Sequence, residues 1–372
     1  MLDARSIILF AAVFLSFTQA RGEDGYDAWL RYRKVEDRMY LRQCRDVCGK
    51  IAMEADTPML KSAKNELIRG LTALLGQAPA EGKGSLIAAV ASQWVDPEEI
   101  ANLKDGGYMI RSVEMDGETG TIITARTDRG ILYGVFCFLR LIQTGESLNG
   151  LDITGNPTHG LRMYNHWDNP CGTVERGYAG QSIFKWGELP RLNQRYTDYA
   201  RLLASTGING MVINNVNTSK PGMIGWKIIS PEYIEKLAPL AELLRSYGIK
   251  TYISVSFAAP MRVGGLETAD PLDADVASWW ADTADRIYSR IPDFGGFLVK
   301  ADSEGEPGPH SYERDHSQGA NVLAAALKPY GGIVLWRAFV YGGAASNKDR
   351  AAQAFELFKP LDGRFADRKS VV

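Results

Sequence analysis

The sequence GGFLVKADSEGEPGP at residues 295–309 is the most informative segment of the chain. It starts as a short apolar run, Phe297 to Val299, of the kind found in buried parallel strands. The segment then turns polar at Lys300 and is followed by three carboxylates, glycines and prolines, which end the strand. Because catalytic groups of β/α barrels lie at the C-terminal ends of the strands, this segment predicts a strand that opens into a site.

The same strand-then-helix pattern repeats along residues 153–372. Predicted strands lie at 161–165, 207–213, 248–255, 295–300 and 331–337. Predicted helices lie at 196–205, 231–247, 276–290, 320–327 and 350–358. Such alternation gives a parallel sheet with helices outside it. A complete barrel has about eight strands, so we expect an incomplete (β/α)8 TIM-type barrel in which only about the first five βα units are present.

The first part of the chain predicts a smaller α/β unit. It combines a helix ended by Gly76, a strand at 85–91, a hairpin around 116–120 and a helix at 130–142. No acid, base and nucleophile candidates collect there. The predicted organisation is therefore a signal peptide at 1–20, an N-terminal α/β accessory domain at 21–152 and a catalytic β/α-barrel domain at 153–372.

Composition narrows the functional classes. The net charge is −2 and 45% of residues are hydrophobic, which describes a globular protein that does not bind nucleic acid. The apolar run at 7–15, followed by Thr18-Gln19-Ala20, is typical of a secretory signal peptide. The alternative is a membrane anchor, for which the run is short. We expect a secreted or periplasmic protein with no membrane association after signal removal.

The cysteines and two histidines do not predict a disulfide framework or a metal site. The chain has 4 cysteines, few for an exported protein of this length, and we expect all of them to be unpaired structural residues. His310 and His316 show no metal-ligand spacing with the carboxylates and are expected to be solvated loop residues. No metal and no cofactor are predicted.

Polar and aromatic side chains collect at the ends of the predicted strands. They are His166, Trp167, Asp168, Asn214, Asn215, Asn217, Lys300, Asp302, Glu304, Glu306, Trp336 and Arg337. Rings with amide, carboxylate and basic groups suit a sugar, which offers apolar C–H faces and many hydroxyls. Three alternatives remain open: a solvated acidic turn at 300–306, Asx turns at 214–217, and core positions for Trp167 and Trp336.

The chain resembles the family 67 glycoside hydrolases, the microbial xylan α-glucuronidases. The resemblance rests on YNHWDN at 164–169, VERGYAG at 174–180, NNVN at 214–217, DPLD at 270–273, residues 299–309, WRAFVY at 336–341 and FKPLDG at 358–363. It implies an N-terminal α/β domain, a β/α barrel and a C-terminal helical domain. It also implies release of 4-O-methyl-glucuronic acid from xylo-oligosaccharides or glucuronoxylan with inversion.

The resemblance also implies residue roles. Glu304 matches the general acid, Lys300 and Arg337 match residues that hold the sugar carboxylate, and Trp167 matches a ring lining the uronate pocket. Val216 or its neighbour matches a small wall residue, and we include Asp168 and Asn215 among the substrate-binding residues. The family's base carboxylates and a further lysine match positions beyond residue 372, and the C-terminal domain that carries much of the dimer contact is missing. A homodimer is therefore implied for full-length relatives rather than for this chain.

Two other functions remain open at this stage. The chain could be a catalytically deficient fragment that only binds acidic xylan oligosaccharides, since no residue matches the base. It could also be a barrel glycosidase that uses substrate assistance from an acetamido sugar. An inverting glycosidase needs two carboxyl groups about 6.5–9.5 Å apart, and Glu304 would supply one. Lys300 with Arg337 favours an acidic sugar over a neutral amide.

Overall fold

The computed structural model describes residues 24–82, 84–91, 93–115, 117–214, 223–303 and 305–337. The predicted signal peptide at 1–20 and the predicted helix at 350–358 lie outside these ranges. Within them, no helix combines the length and the apolar character needed to cross a membrane.

The first sheet is mixed and contains six strands in the order β2-β1-β3-β5-β4-β6. These are β1 (Lys50–Ala52), β2 (Ala80–Glu81), β3 (Leu86–Val90), β4 (Tyr108–Met115), β5 (Glu118–Ala125) and β6 (Asp152–Gly155). The predicted hairpin is confirmed, because β4 and β5 pair antiparallel from Tyr108 and Ala125 to Met115 and Glu118. The pairs β1–β2, β1–β3 and β3–β5 are parallel.

Two long helices pack together on this sheet. The helices of this part are α1 (Arg38–Cys48), α2 (Pro58–Leu75), α3 (Pro97–Ala101) and α4 (Asp128–Thr144). Helix α2 begins where the Thr57 hydroxyl accepts from the Leu60 amide and ends at Gly76, whose φ of 72° favours glycine. The helices α2 and α4 approach closely at Gly70, where a Cβ would lie 2.6 Å from the Leu139 methyl groups.

The second sheet is parallel, as predicted, and contains five strands in the order β11-β10-β9-β8-β7. These are β7 (Met163–His166), β8 (Gly210–Ile213), β9 (Lys250–Ser256), β10 (Gly296–Lys300) and β11 (Ile333–Trp336). The accompanying helices are α5 (Gln194–Ser205), α6 (Pro231–Arg245), α7 (Ala259–Arg262), α8 (Ala274–Arg290) and α9 (His316–Leu327). Spatial order follows chain order, as expected for consecutive βα units.

A glycine allows the close pairing of the last two described strands. Gly296 opens β10 with a φ of 132°, and a Cβ at this position would overlap the carbonyl oxygen of Ile333 in β11. The pairing then runs to Val299 opposite Trp336, so the two strands end level with each other. This register places Lys300 and Arg337 at the same edge of the sheet.

The first unit packs against the N-terminal ends of the parallel strands. Helix α4 supplies Arg129, whose Nε donates to the Gly248 carbonyl at 3.0 Å, and Tyr133, whose hydroxyl donates to the Ile208 carbonyl at 3.1 Å. Gly248 and Ile208 lie just before β9 and β8. A continuous apolar core, which extends from Leu30 to Trp336, joins the two units.

A buried ion pair also crosses this boundary. Arg201 of α5 donates to both carboxylate oxygens of Glu66 in α2, from Nε at 2.6 Å and from Nη2 at 2.8 Å. The Tyr32 hydroxyl donates to Glu66 at 2.6 Å, and both charged residues are almost fully buried. Bidentate geometry with an added hydrogen bond is the arrangement in which a buried pair is best compensated.

Candidate active site

Polar side chains follow four strands of the parallel sheet at its C-terminal edge. His166, Trp167 and Asp168 follow or end β7, Asn214 follows β8, Lys300 ends β10, and Arg337 follows β11. Because parallel strands end on the same side, these residues share one edge. The predicted general acid Glu304 and the predicted pocket residues Asn215 and Val216 lie outside the described residues.

Lys300 and Arg337 form a cationic centre at this edge. Lys300 is 7% exposed, and burial followed by the charge of Arg337 lowers its pKa to about 7. The Arg337 amide donates to the Val299 carbonyl at 3.2 Å, which fixes Arg337 beside the end of β10. Two cations held together in a poorly solvated place favour an anion between them.

A loop after β7 brings further charges to this centre. The charge of Glu175 raises the pKa of Lys300 and the charge of Arg176 lowers it, so both side chains lie close enough to Lys300 to interact electrostatically. Glu175 is buried, has a φ of 53° and accepts from Arg176 at 2.5 Å and from the Tyr178 hydroxyl at 2.8 Å. Sequence reasoning did not single out Glu175 as a site residue. Gly172 before the VERGYAG segment and Gly177 and Gly180 within it were the available signal, since glycines mark a compact loop.

Trp167 lies at the surface of this region, with 40% of its area exposed. Its carbonyl accepts from the Glu175 amide at 2.9 Å, which ties it to the loop. Trp167 is therefore not a core residue, and its ring is accessible to a ligand. Trp336, in contrast, is 7% exposed and packs against Phe257 and His316.

Asp168 lies inside the protein rather than at its surface. It is 0% exposed and accepts hydrogen bonds from the Trp186 indole at 2.8 Å, the Ile183 amide at 2.9 Å and the Ser182 hydroxyl. Its Oδ2 also lies 3.1 Å from the His166 Nε2. A direct contact between Asp168 and a ligand would have to displace one of these partners.

Asn214 also has a structural task. Its side-chain amide donates to the Gly225 and Ser254 carbonyls, both at 3.1 Å, and the residue is 0% exposed with a φ of 79°. Asparagine tolerates this left-handed conformation better than most residues. Asn214 therefore fixes the exit of β8, where the chain leaves for the segment that carries Asn215 and Val216.

The carboxylates after β10 separate into different environments. Glu306 is buried and pairs with Arg262 of α7 at 2.9 Å. Asp302 is half-buried with a φ of 50°, and desolvation raises the pKa of its carboxyl group. Asp302 and Glu306 are thus built into the protein, in contrast to the solvated turn that was the alternative.

The expectation of solvated histidines was wrong for His316. This residue is 1% exposed and opens α9, where burial followed by His310 lowers its pKa to about 4. His310 is exposed, and its ring centroid lies 4.5 Å from that of His316.

The two histidines, whose sequence spacing predicts no metal site, lie close to a carboxylate in the structure. One ligand atom from each of Asp302, His310 and His316 lies within 4.8 Å of the others. The chain reverses at Glu313, which has a φ of 58°, and the Arg314 amide donates to the Pro309 carbonyl at 3.1 Å. This reversal brings together residues whose sequence spacing gives no such signal.

Two family models match the chain. The N-terminus of glycosyl hydrolase family 67 matches residues 28–138, and the middle domain of that family matches residues 141–372. The chain is 38% identical over 385 residues to the probable alpha-glucuronidase A of Aspergillus clavatus, covering 98% of this chain and 44% of that protein. It is also 38% identical over 389 residues to the alpha-glucuronidase A of Emericella nidulans, again covering 98% and 44%. The chain thus spans less than half the length of these curated relatives.

Solved structures show a likeness in fold. The family 20 β-N-acetylhexosaminidase of Streptomyces coelicolor matches with a TM-score of 0.53 and 13% identity, covering 82% of this chain and 67% of that one. A mutant β-hexosaminidase of Streptomyces plicatus matches with a TM-score of 0.52 and 12% identity, covering 83% and 68%.

Proposed function

Because the chain belongs to glycosyl hydrolase family 67, we propose that this protein acts as an α-glucuronidase. Its substrates would be xylo-oligosaccharides or glucuronoxylan carrying glucuronic acid or its 4-O-methyl ether. The curated relatives are longer proteins named alpha-glucuronidase A.

The observation that carries this proposal is the cationic centre of Lys300 and Arg337. A uronic acid differs from the common neutral sugars by its carboxylate, so its recognition calls for fixed positive charge. Arginine can bind a carboxylate through two parallel hydrogen bonds, and lysine adds a point charge. Burial and the charge of Arg337 lower the pKa of Lys300 to about 7, and a uronate carboxylate bound beside it would raise that pKa again.

We assign the general acid to Glu304, two residues beyond Asp302 in the same loop. In an inverting mechanism this residue protonates the leaving oxygen while a second carboxylate activates water on the opposite face of the sugar. A bound uronate partly cancels the charges of Lys300 and Arg337, which helps Glu304 to keep its proton. Because the chain spans less than half the length of its curated relatives, binding is the first quantity to measure.

The remaining predicted residues would shape the pocket. Trp167 would offer an apolar ring face to the sugar, and Asn215 and Val216 would line the wall beside β8. Asp168 would act indirectly, since its oxygens hold the 182–186 segment next to Trp167.

The test compares Arg337→Ala with the unchanged protein by calorimetric titration of glucuronate-bearing and undecorated xylo-oligosaccharides. We expect the decorated ligand to lose about 1.5–3 kcal/mol of binding free energy, the usual contribution of a hydrogen bond to a charged group. The undecorated ligand should bind the two proteins equally. Arg314→Ala is the matched control, because Arg314 pairs with Asp270 at 3.0 Å and is not assigned to the uronate. Equal loss for both ligands would show that Arg337 does not recognise the carboxylate.

We further propose that residues 1–20 direct export and are then removed. The support is the apolar run at 7–15 followed by Thr18-Gln19-Ala20. N-terminal sequencing of secreted protein should begin at Arg21, and an intact Met1 on that protein would contradict cleavage.

A further inference from the structure

A second group of side chains lies beside the cationic centre and has a different chemistry. It consists of Asp302, which follows β10, His310 in the 3-10 helix Pro309–Tyr312, and His316, the first residue of α9. One oxygen or nitrogen atom from each of them lies within 4.8 Å of the others. The three residues come from three separate segments, so the fold itself brings them together.

Local contacts hold His316 in place, and Asp302 has an unusual backbone conformation. The Asp315 side chain and the Gln318 side chain form a reciprocal capping box that fixes the start of α9, and with it His316. The His316 ring also packs against Trp336, with ring centroids 5.7 Å apart. Asp302 adopts a left-handed φ of 50°, a conformation that costs an aspartate energy unless its surroundings compensate.

The Asp302 carboxylate supplies an independent observation. Its Oδ2 is buried and has no hydrogen-bond partner among the described residues. A buried carboxylate oxygen that lacks a donor is destabilising, and such a group in a folded protein calls for an explanation. A cation would satisfy this oxygen.

The types of the ligand atoms indicate which cation fits. Two imidazoles and one carboxylate suit zinc and similar transition metals, whereas magnesium and calcium prefer sites made of oxygen atoms. Around a tetrahedral zinc ion, ligand atoms stand about 3.4 Å apart, so the group would have to contract slightly. His310 is exposed and can rotate to close this gap.

We propose that Asp302, His310 and His316 form a transition-metal site with the ligand set of zinc. Bound metal would join the end of β10, the 309–312 turn and the start of α9, and so hold the loop between them, which contains residue 304. None of the three ligands is assigned to the uronate or to proton transfer, so a metal titration tests this site separately from the proposed function.

The test titrates Zn²⁺ into chelator-treated protein by calorimetry, with Co²⁺ absorption as a second readout. We expect one equivalent to bind, the Co²⁺ spectrum to show nitrogen ligation, and saturating Zn²⁺ to raise the melting temperature by about 2 °C or more. His310→Ala should weaken binding by at least about tenfold, since even loss of a residue that only supports a metal ligand costs that much.

Two further variants keep the result interpretable. Asp302→Asn should weaken Zn²⁺ binding as well, and asparagine tolerates the left-handed backbone, so the fold should survive. His159→Ala is the matched control, because it removes an exposed histidine outside the group. All these variants keep the four cysteines, so zinc bound by thiols would be unaffected. Failure to bind Zn²⁺ would overturn the proposal, and so would an equal affinity for Zn²⁺ in His310→Ala and the unchanged protein. Neither result would change the conclusion from the uronate titration.

Discussion

At the scale of single residues, Asp168 shows how a carboxylate predicted to bind substrate can serve the fold. Its oxygens accept from Ser182, Ile183 and Trp186 while no part of the residue is exposed. It therefore holds the chain after β7 against the end of the sheet, next to the exposed ring of Trp167.

We expect Asp168→Ala to lower the free energy of unfolding by about 3–5 kcal/mol. The change leaves several buried donors without an acceptor, and each such donor costs about 1–3 kcal/mol. Urea denaturation followed by tryptophan fluorescence measures this loss. Glu188→Ala is the control, because Glu188 forms exposed ion pairs with Lys185 and Arg191 and its loss should leave the free energy of unfolding nearly unchanged. Similar losses in the two variants would contradict the role given to Asp168.

The four cysteines allow a second prediction at this scale. Cys44, Cys48 and Cys137 are buried, Cys171 is half-buried, and all are free thiols, as the sequence predicts. Burial raises the pKa of the Cys44 and Cys48 thiols, which disfavours the reactive thiolate. We expect Ellman's reagent to label one thiol quickly in the native protein and all four in denaturant.

The variant Cys171→Ser identifies the reactive thiol. It should abolish the fast phase and leave the slow labelling unchanged. Fast labelling that persists in this variant would show that one of the buried helices opens readily.

Sequence patterns predicted where polar residues would lie but not which way they would face. Lys300 and Arg337 follow apolar strands, and this alone places them at the sheet edge. Asn214 follows a strand in the same way, yet its side-chain amide donates hydrogen bonds to the Gly225 and Ser254 carbonyls. Those acceptors come from distant parts of the chain, so no local pattern can reveal them.

At the scale of elements, the strand and helix series was predictable because each element carries its own periodicity and end signals. The main differences are at the ends. Helix α9 was expected from residue 320 but begins at His316, because Asp315 and Gln318 form a capping box. That signature is present in the sequence at the required spacing. Its importance is clear only once His316 is seen to be buried beside it.

Gly296 gives a test of the β10–β11 pairing. In Gly296→Ala the new methyl group would overlap the Ile333 carbonyl, and the φ of 132° is accessible essentially to glycine alone. We expect a loss of about 3 kcal/mol or more of unfolding free energy. We also expect weaker binding of uronate ligands, since Lys300 and Arg337 would no longer lie side by side at the edge of the sheet.

Gly187→Ala is the matched control for this change. A Cβ at Gly187 would meet nothing within 4 Å, and the residue does not have a positive φ. Its free energy of unfolding should lie within about 0.5 kcal/mol of that of the unchanged protein. A stable Gly296→Ala protein with normal ligand binding would contradict the strand register described here.

At the scale of the whole molecule, the Glu66–Arg201 pair links the two units. We expect Glu66→Ala to cost about 3–5 kcal/mol of unfolding free energy, because the buried Arg201 would lose its bidentate partner and keep its single bond to Asp198. Denaturant unfolding followed by circular dichroism and by fluorescence should still give one transition, since the two units share a core. Glu81→Ala is the control, because the exposed pair of Glu81 with Lys64 should contribute at most about 1 kcal/mol. Two separate transitions in the unchanged protein would contradict a shared core.

The sequence predicted an accessory role for the first unit but could not predict which ends of the parallel strands it packs against. Hydrogen bonds from Arg129 and Tyr133 of α4 show that it packs at the N-terminal ends of the parallel strands. The cationic centre lies at the opposite ends. In β/α folds this separation divides the molecule into a face for stability and a face for chemistry.

The same separation makes the protein suited to recombination between relatives. A chimera that takes its first unit from another family member would exchange a surface distant from the sugar, so ligand preference should pass with the parallel sheet. The junction would be tolerated only where the incoming unit brings a carboxylate to meet Arg201, with the hydroxyl of a residue like Tyr32 beside it. Compatibility between the halves of such hybrids therefore depends on matching this buried charge as well as the apolar core that the two halves share.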